Sequence, residues 1–264
     1  MTERPRAPSA VRTAVVWDAL RRSLAARSSA TRRDGLDVLD VGGGTGGFAV
    51  PLAELGHTVT VVDPSPNSLA ALERRAAEAD VTGRVRARQG DTDDIPALVG
   101  EGSIDLALCH SVLEVVDDPP KALALVARTL RRGGTASVLA ANRTAAALHR
   151  ALLGYFDEAR RALTDPDGRW GAADPVPRRF TLPALVALVE GAGLSVGVTH
   201  GVRIFADLLP GGLVDGETGA GDALLALETT AAGHADLRCV ATQLHVLGHC
   251  QGDGRGDGQG DGDA

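Results

Sequence analysis

The feature that most constrains this fold is a glycine-dense turn between a short apolar run and helix-like sequence. The apolar run covers residues 36–41, and residues 42–47 read Gly-Gly-Gly-Thr-Gly-Gly. Glycine lets a backbone turn tightly and approach a ligand closely. A second apolar run, residues 58–62, leads to Asp63, 21 residues after Gly42. A spacing of about 20 is typical of a ribose-binding carboxylate in a βαβ unit, so the pattern predicts a site for an adenosine-containing ligand.

The residues of the turn favour a cationic ligand over a pyrophosphate. Asp40 lies two positions before Gly42, and its charge would repel the pyrophosphate that dinucleotide enzymes hold over a helix N-terminus. S-adenosylmethionine carries an ammonium and a sulfonium and no phosphate. The turn resembles motif I of the class I S-adenosylmethionine-dependent methyltransferases. We expect Asp40, Gly42, Gly43, Gly44 and Asp63 to bind this cofactor; the alternative is a glycine-rich turn that holds no ligand.

The first half of the chain alternates helices with short apolar strands. Residues 11–27 form an amphipathic pattern with an apolar face, which comprises Val15, Val16, Ala19, Leu20 and Leu24. Five strands are predicted, at residues 38–41, 58–62, 85–89, 104–109 and 135–140. Continuous apolar strands that alternate with helices predict a parallel sheet covered on both faces. A helix is expected to begin at Pro119-Pro120, to end at residues 131–132 and to be capped by residues 133–134.

The second half completes the predicted sheet around an insertion. We expect residues 144–174 to be inserted, with one helix through Leu163, and a helix over 181–192 with Thr181 as its N-cap. The last two strands are predicted at 195–205 and 240–249, one of them antiparallel, with a helix at 223–232 between them. This order resembles the Rossmann-like class I methyltransferase fold, an α/β fold with a seven-stranded, mostly parallel sheet, helices on both faces and a small helical insertion.

Composition and domain boundaries limit the alternatives. The net charge of −7 and the aromatic content of 3% give no general nucleic-acid footprint, which requires a basic surface. Three widely spaced cysteines predict no metal site, and the absence of a secretory signal or an apolar run near 18 residues favours a cytoplasmic protein without a membrane span. We expect a flexible N-terminus over 1–10, one methyltransferase domain over 11–250 with its insertion at about 144–180, and a disordered Gly/Asp tail over 251–264.

Polar residues also follow the third and fourth strands. Asp91, Thr92 and Asp93 come directly after strand three, where class I enzymes hold the adenine amino group; the alternative is a solvated acidic loop. His110 follows strand four, at the edge where methyl donor and acceptor meet. It is predicted either to contact the donor or to act as a general base, unless it is simply a packed histidine.

A narrower resemblance extends beyond these motifs. Residues 110–119, 201–207, 223–229 and 244–246 are similar, in this order, to segments of the tRNA methyltransferases that esterify 5-carboxymethoxyuridine at the wobble position. Residues 11–17 resemble the leading helix of that family, and the likeness spans roughly residues 11–247. It implies that Arg12 contacts the cofactor together with Gly42, Gly43, Asp63 and His110, and that the acceptor is a tRNA carboxylate.

An acceptor carboxylate requires a cationic clamp, and arginine matches it bidentately. The resemblance favours Arg203, with Arg178 and Arg179 as the second choice; each could instead form a surface salt bridge. The chain departs from the family at Val115, where the family has tryptophan, and in an insertion without its lysine run. A small carboxylate or another metabolite is therefore the alternative acceptor, and a cofactor-binding module without catalysis is a third hypothesis.

Overall fold

Seven strands form one sheet in the computed structural model, which describes residues 8–209 and 219–251. The strands are β1 (Asp37–Val41), β2 (Thr58–Asp63), β3 (Val85–Gln89), β4 (Ile104–His110), β5 (Leu130–Ala141), β6 (Ser195–Val202) and β7 (Gln243–His249). Their order is β3-β2-β1-β4-β5-β7-β6. β7 runs antiparallel to both of its neighbours, while β1 to β5 pair in parallel. The predicted seven-stranded, mostly parallel sheet is confirmed.

Helices connect the strands and cover both faces of the sheet. They are α1 (Pro8–Thr31), α2 (Ala49–Glu54), α3 (Pro66–Glu78), α4 (Ile95–Val99), α5 (Pro119–Thr129), α6 (Arg143–Leu152), α7 (Phe156–Thr164), α8 (Leu182–Gly191), α9 (Ala220–Ala232) and α10 (Ala235–Arg238). The Thr181 side chain accepts a hydrogen bond from Ala184 N, so the predicted N-cap of α8 is confirmed. No helix in the described ranges is long and apolar enough to cross a membrane.

Two apolar clusters fill the space between the sheet and these helices. Successive strand residues point to opposite faces, so Val38 packs with one cluster and Leu39 with the other. The first cluster lies under α1, α2 and α3, and the second under α5 and α8. All five residues predicted for the apolar face of α1 are buried. The polar side chains at the carboxyl ends of the strands therefore lie outside both apolar clusters.

The helix expected to reach residues 131–132 ends earlier. α5 stops at Thr129, and Arg131 already belongs to β5. Arg131 Nη1 lies 2.7 Å from Asp105 Oδ2 and its Nη2 lies 3.0 Å from Asp37 Oδ2. Asp105 is buried and also pairs with Arg27 and Arg33. These ion pairs hold Arg131 beside the starts of β1 and β4, so the prediction of a longer helix was wrong.

Three further predictions of element boundaries were wrong. The insertion contains two helices rather than one, because Gly154 adopts a positive φ of 81° between α6 and α7. The strand expected over 195–205 ends at Val202, because Arg203 has a φ of 58°. The next three backbone N–H groups, of residues 204–206, donate to the buried Glu228 carboxylate. The Glu228 carboxylate thus takes the place of a neighbouring strand as the hydrogen-bond acceptor, and the chain turns immediately after Arg203. The following strand, predicted from residue 240, begins only at Gln243.

Candidate functional site

A first cavity of about 610 Å³ opens at the carboxyl ends of β1 to β4. Its walls include several of the predicted cofactor residues, namely Gly42, Asp63, Asp91, Thr92 and Asp93. Ser111, Val112 and Val115 close the side next to β4. Strand ends bring these residues together from four separate chain segments, as the parallel sheet predicts.

Asp63 is anchored by the main chain on both sides. Gly44 N donates to Asp63 Oδ2 at 2.9 Å, and Ser65 N donates to Asp63 Oδ1 at 2.8 Å. Each carboxylate oxygen has a second lone pair, so the group can still accept two hydroxyl hydrogen bonds. Ser65, and not Asp63, caps α3, so the Asp63 carboxylate is not needed as a helix cap. The fixed Asp63 carboxylate in the cavity wall suits a ribose diol.

Asp40 lies behind the glycine turn and is almost completely buried. A Cβ atom on Gly43 would lie 2.5 Å from Asp40 Oδ2, and one on Gly42, where φ is 62°, would lie 2.9 Å from Val112 Cγ2. The turn therefore requires glycine at both positions. Burial, reinforced by the negative charge of Asp63, raises the pKa of Asp40 to about 7. Asp63 in the cavity wall and Asp40 behind it together favour a positively charged ligand.

The acidic loop after β3 contains carboxylates of unequal availability. Lys121 Nζ lies 2.6 Å from Asp93 Oδ2, so Asp93 is already paired with a cation. Asp91 Oδ1 accepts from Asp93 N at 2.8 Å. Asp91 and Thr92 both line the first cavity. Asp91 is therefore the more available carboxylate for a donor group on the ligand.

His110 belongs to a row of hydrogen-bonded side chains that crosses four neighbouring strands. His110 Nε2 lies 2.8 Å from Ser137 Oγ, which lies 2.8 Å from His245 Nε2. His245 Nδ1 lies 3.1 Å from His200 Nδ1. Burial lowers the pKa of His110 to about 3, so the ring is neutral near pH 7 and a weak base. This argues against the general-base role. His110 is not among the lining residues of the first cavity, so its contact with the cofactor stays a prediction beside the alternative of a packed histidine.

A second cavity of about 370 Å³ adjoins the first and shares Ser111 and Val115 with it. Its polar walls come from several parts of the chain and include Glu114, Asn142, His149, Arg179, Arg203 and Gln243. His149 lies on α6 of the insertion, while Gln243 begins β7. A ligand in the second cavity would therefore lie next to a ligand bound in the first.

Several polar atoms around the second cavity lack hydrogen-bond partners. Within residues 8–209 and 219–251, Glu114 Oε2, His149 Nε2 and Arg203 Nε are buried and unpartnered. Burial raises the pKa of Glu114, and burial together with the Arg203 charge lowers the pKa of His149. Buried polar groups normally have partners, so these atoms mark the second cavity as a site for a polar ligand.

The predicted arginines differ in how firmly they are held. Arg179 forms a buried bidentate pair with Asp174, at 2.5 Å and 2.9 Å. Arg178 Nη1 donates to the carbonyls of residues 113 and 116 and lies behind the cavity wall. Arg203 Nη1 makes a looser contact of 3.4 Å with Asp207. Arg203 is thus the arginine of the three with the most freedom to bind a ligand.

Arg12 lies apart from the other predicted cofactor residues. Its side chain is mostly exposed on α1, and its Nε lies 3.8 Å from Asp207 Oδ1. Asp207 therefore lies between Arg12 and Arg203. The cofactor contact implied for Arg12 stays a prediction.

No role was predicted from the sequence for Glu114, His149 or Glu228. Glu114 was visible four residues after His110, and His149 lies in the predicted insertion helix. Glu228 had one signal, an acidic residue in an otherwise apolar helical segment. None of these signals indicated a shared site, because only the fold brings Glu114 and His149 together.

Comparison with known proteins agrees with this geometry. Residues 39–138 match a family described as a methyltransferase domain. The tRNA 5-carboxymethoxyuridine methyltransferase of Escherichia coli K12 is 32% identical over 200 residues, which cover 75% of this chain and 73% of that protein. A ubiquinone biosynthesis O-methyltransferase of Methylobacterium nodulans is 32% identical over 170 residues, 64% of each chain.

A solved structure shares the fold. An S-adenosylmethionine-dependent methyltransferase from Mesorhizobium loti superposes with a TM-score of 0.55 over 90% of this chain and 99% of its own, at 19% identity. The sheet order observed here agrees with that fold. Sequence likeness over three quarters of the chain and the shared fold show that this protein belongs to the class I S-adenosylmethionine-dependent methyltransferases, with S-adenosylmethionine as its cofactor.

Proposed function

We propose that this enzyme methylates a carboxylate that Arg203 holds in the second cavity. The observation that carries the proposal is Arg203 itself, whose buried Nε is unpartnered in the described chain and whose side chain lines a cavity adjoining the first. A carboxylate has a pKa of about 4 and is already nucleophilic at pH 7. It requires orientation rather than a base, which agrees with the neutral, weakly basic His110.

The residues of the first cavity fit the cofactor. When bound, S-adenosylmethionine supplies an electrophilic methyl group on a positively charged sulfur. Asp40 would stabilise its positive charge, Asp63 would accept from the ribose hydroxyls, and Asp91 would accept from the adenine amino group. Gly42 and Gly43 allow the backbone to lie close to the ligand. The buried, unpaired charge of Asp40 and Asp63 in this site supports the assignment.

Catalysis by these residues rests on position and exclusion of water. Val112 and Val115 form an apolar wall near the junction of the two cavities. Arg203 would hold the acceptor carboxylate so that one oxygen faces the first cavity. Orienting two reactants in this way accounts for most of the rate gain in a displacement that needs no proton transfer. We assign no residue the role of acid or base.

For the identity of the acceptor, we favour the carboxylate of a 5-carboxymethoxyuridine-type wobble nucleotide in tRNA. The support is the similarity to the Escherichia coli enzyme over three quarters of the chain. The second candidate is a small carboxylate metabolite. Val115, which stands where tryptophan was expected and leaves the cavity junction without a stacking ring, supports this candidate.

Methyl transfer assays test the two acceptors directly. Radiolabelled cofactor is incubated with the enzyme and either total tRNA from a strain that lacks the modification or a metabolite extract. Label in tRNA supports the first candidate, and label only in the extract supports the second. Label in neither fraction, with normal cofactor binding, would favour the third hypothesis, a binding module without catalysis.

A further inference from the structure

The insertion hairpin, formed by α6 and α7 (residues 143–164), buries small residues and exposes large ones. Its buried side chains are alanines, at positions 145, 147, 159 and 162. Leu148 is half-buried, but the other five large apolar side chains are between 52% and 72% exposed, and they are Leu152, Leu153, Tyr155, Phe156 and Leu163. A helix that only supports a fold turns its large apolar residues inward. This reversed arrangement indicates a surface for a partner.

The exposed residues lie close to the second cavity. Ala145, Ala146 and His149 of α6 line that cavity, and the exposed side chains begin at Leu152 on the same helix. Three residues correspond to about 5 Å along a helix axis. A partner on the insertion hairpin would therefore lie beside the opening through which the acceptor enters.

The insertion also carries an excess of positive charge. Residues 143–180 contain seven arginines and five acidic residues, a net charge of +2, which leaves −9 for the remainder of the chain. Four of these arginines form ion pairs with carboxylates, namely Arg150, Arg160, Arg178 and Arg179. For Arg143, Arg161 and Arg169, no carboxylate partner lies within the described ranges. The insertion is thus a net basic segment of an acidic protein.

Two of the unpaired arginines line a shallow pocket behind α7. Arg161 and Arg169 face a volume of about 250 Å³, together with Asp165. The Asp165 carboxylate already accepts hydrogen bonds from the backbone N–H groups of Asp167 and Arg169, which moderates its repulsion of an anion. The insertion thus carries both exposed aromatic rings, Tyr155 and Phe156, and two arginines without a carboxylate partner, which are groups of the kind that bind unpaired nucleotides.

We propose that the insertion hairpin is the docking surface for a single-stranded RNA loop. Bases that flank the acceptor nucleotide stack on Tyr155 and Phe156, and backbone phosphates contact Arg161 and Arg169. The proposal rests on the proposed tRNA acceptor and specifies how the loop is held. A second copy of the chain is the competing occupant, but pairing two copies of this face would bring like charges together.

Binding of a fluorescent anticodon stem-loop RNA to the intact enzyme tests the proposal. The Tyr155→Ala/Phe156→Ala variant is expected to bind about ten- to hundred-fold more weakly, because it loses two stacking rings. Arg161→Ala/Arg169→Ala is expected to reduce the salt dependence of binding by about two phosphate contacts. Leu55→Ala and Arg74→Ala, which alter an exposed apolar residue and an exposed arginine elsewhere, serve as matched controls and should bind like the wild type.

The outcomes separate the surface from the proposed function. Weaker RNA binding by the variants, with unchanged S-adenosylhomocysteine affinity and melting temperature, supports the insertion hairpin as the RNA docking surface. Equal RNA affinity in the wild type and the aromatic variant overturns that proposal, even if tRNA is methylated. If the wild type sediments as a dimer and the aromatic variant as a monomer, the occupant of the hairpin is a second copy of the chain, and the RNA proposal is overturned. Failure of the tRNA acceptor itself would appear separately, as no methyl transfer to tRNA by the wild type.

Discussion

The two cavities at the carboxyl edge of the sheet differ in whether their polar atoms already have hydrogen-bond partners. In the first, main-chain N–H groups anchor Asp63 before any ligand binds. In the second, Glu114, His149 and Arg203 each retain a buried polar atom with no partner in the described chain. A preorganised site suits a single ligand that always binds in the same way. The unsatisfied site depends on its ligand to complete its hydrogen bonds, and it is where acceptor specificity should arise.

The cavities also differ in how the chain builds them. The first is assembled from the ends of successive strands, β1 to β4. The second combines the end of β5, the insertion, the turn after β6 and the start of β7. Enzymes with one cofactor and different acceptors can keep the first arrangement and vary the second. We therefore expect mutations in the first cavity to change cofactor binding and those in the second to change turnover.

Removal of the Asp63 carboxylate should have the largest effect. Asp63→Ala deletes the acceptor of two hydroxyl hydrogen bonds, each worth about 1.5–3 kcal/mol when one partner is charged. We expect S-adenosylmethionine to bind about 100-fold more weakly or worse in calorimetry. Because Asp63 also holds Gly44 and Ser65, Asp63→Asn and melting curves serve as controls. Wild-type affinity in Asp63→Ala, or tighter binding of NAD, would refute the assignment.

Removal of Arg203 should produce the opposite pattern. Arg203→Ala is expected to leave cofactor affinity nearly intact and to lower single-turnover methyl transfer about ten- to hundred-fold, the equivalent of one charged hydrogen bond. Arg203→Lys should rescue poorly, since a point charge cannot replace the guanidinium fork. If turnover is unchanged, Arg178 or Arg179 becomes the candidate for holding the acceptor carboxylate. If turnover and cofactor affinity fall together, Arg203 belongs to the first cavity instead.

The pH dependence of cofactor binding tests the buried charge of the first cavity. Asp40 has a pKa of about 7 in the absence of ligand, so its carboxyl is increasingly neutral below pH 7. A cationic ligand prefers the ionised form. Affinity should therefore fall by up to about tenfold per pH unit below pH 7, with proton release on binding near pH 6. Asp40→Asn should bind more weakly at pH 8 and show a flatter profile; an unchanged slope would assign the titration to another group.

Deletion of residues 251–264 should have the smallest effect. The predicted disorder of this tail concerns mainly residues 252–264, which lie outside the described ranges. It contains no apolar residue before Ala264 and has little to bury. Melting temperature, cofactor affinity and turnover are all expected to stay near their full-length values. A large fall in melting temperature would show that the tail packs on the domain.

The sequence was sufficient for those parts of the fold that depend on local patterns. β1 to β4 were predicted nearly to the residue, since each is a short extended segment between a helix and a turn. The end of α5 was missed because Arg131 is held by Asp37 and Asp105, which are distant in sequence. The end of β6 was missed because Glu228, 25 residues after Arg203, binds the turn. Tertiary contacts override local propensity at both positions.

The same distinction applies to the two cavities. Gly42, Asp63 and Asp91 follow strands directly, so a parallel sheet brings them to one edge without further information. Glu114 and His149 come from a loop after β4 and from the insertion, and no sequence spacing relates them. Arg203 was found only through the resemblance to a known family, since its positive φ and its proximity to His149 are properties of the folded chain.

The type of bond that the transferred methyl group forms shows what the second cavity holds. If that cavity presents a carboxylate to the donor, the product is a methyl ester. The wild-type enzyme is incubated with radiolabelled S-adenosylmethionine and the acceptor fraction that becomes labelled, and the product is treated with mild alkali. An ester is hydrolysed to the free acid and volatile labelled methanol, which is the predicted result. Label that resists alkali, as in a methyl ether or an N-methyl group, would contradict the account.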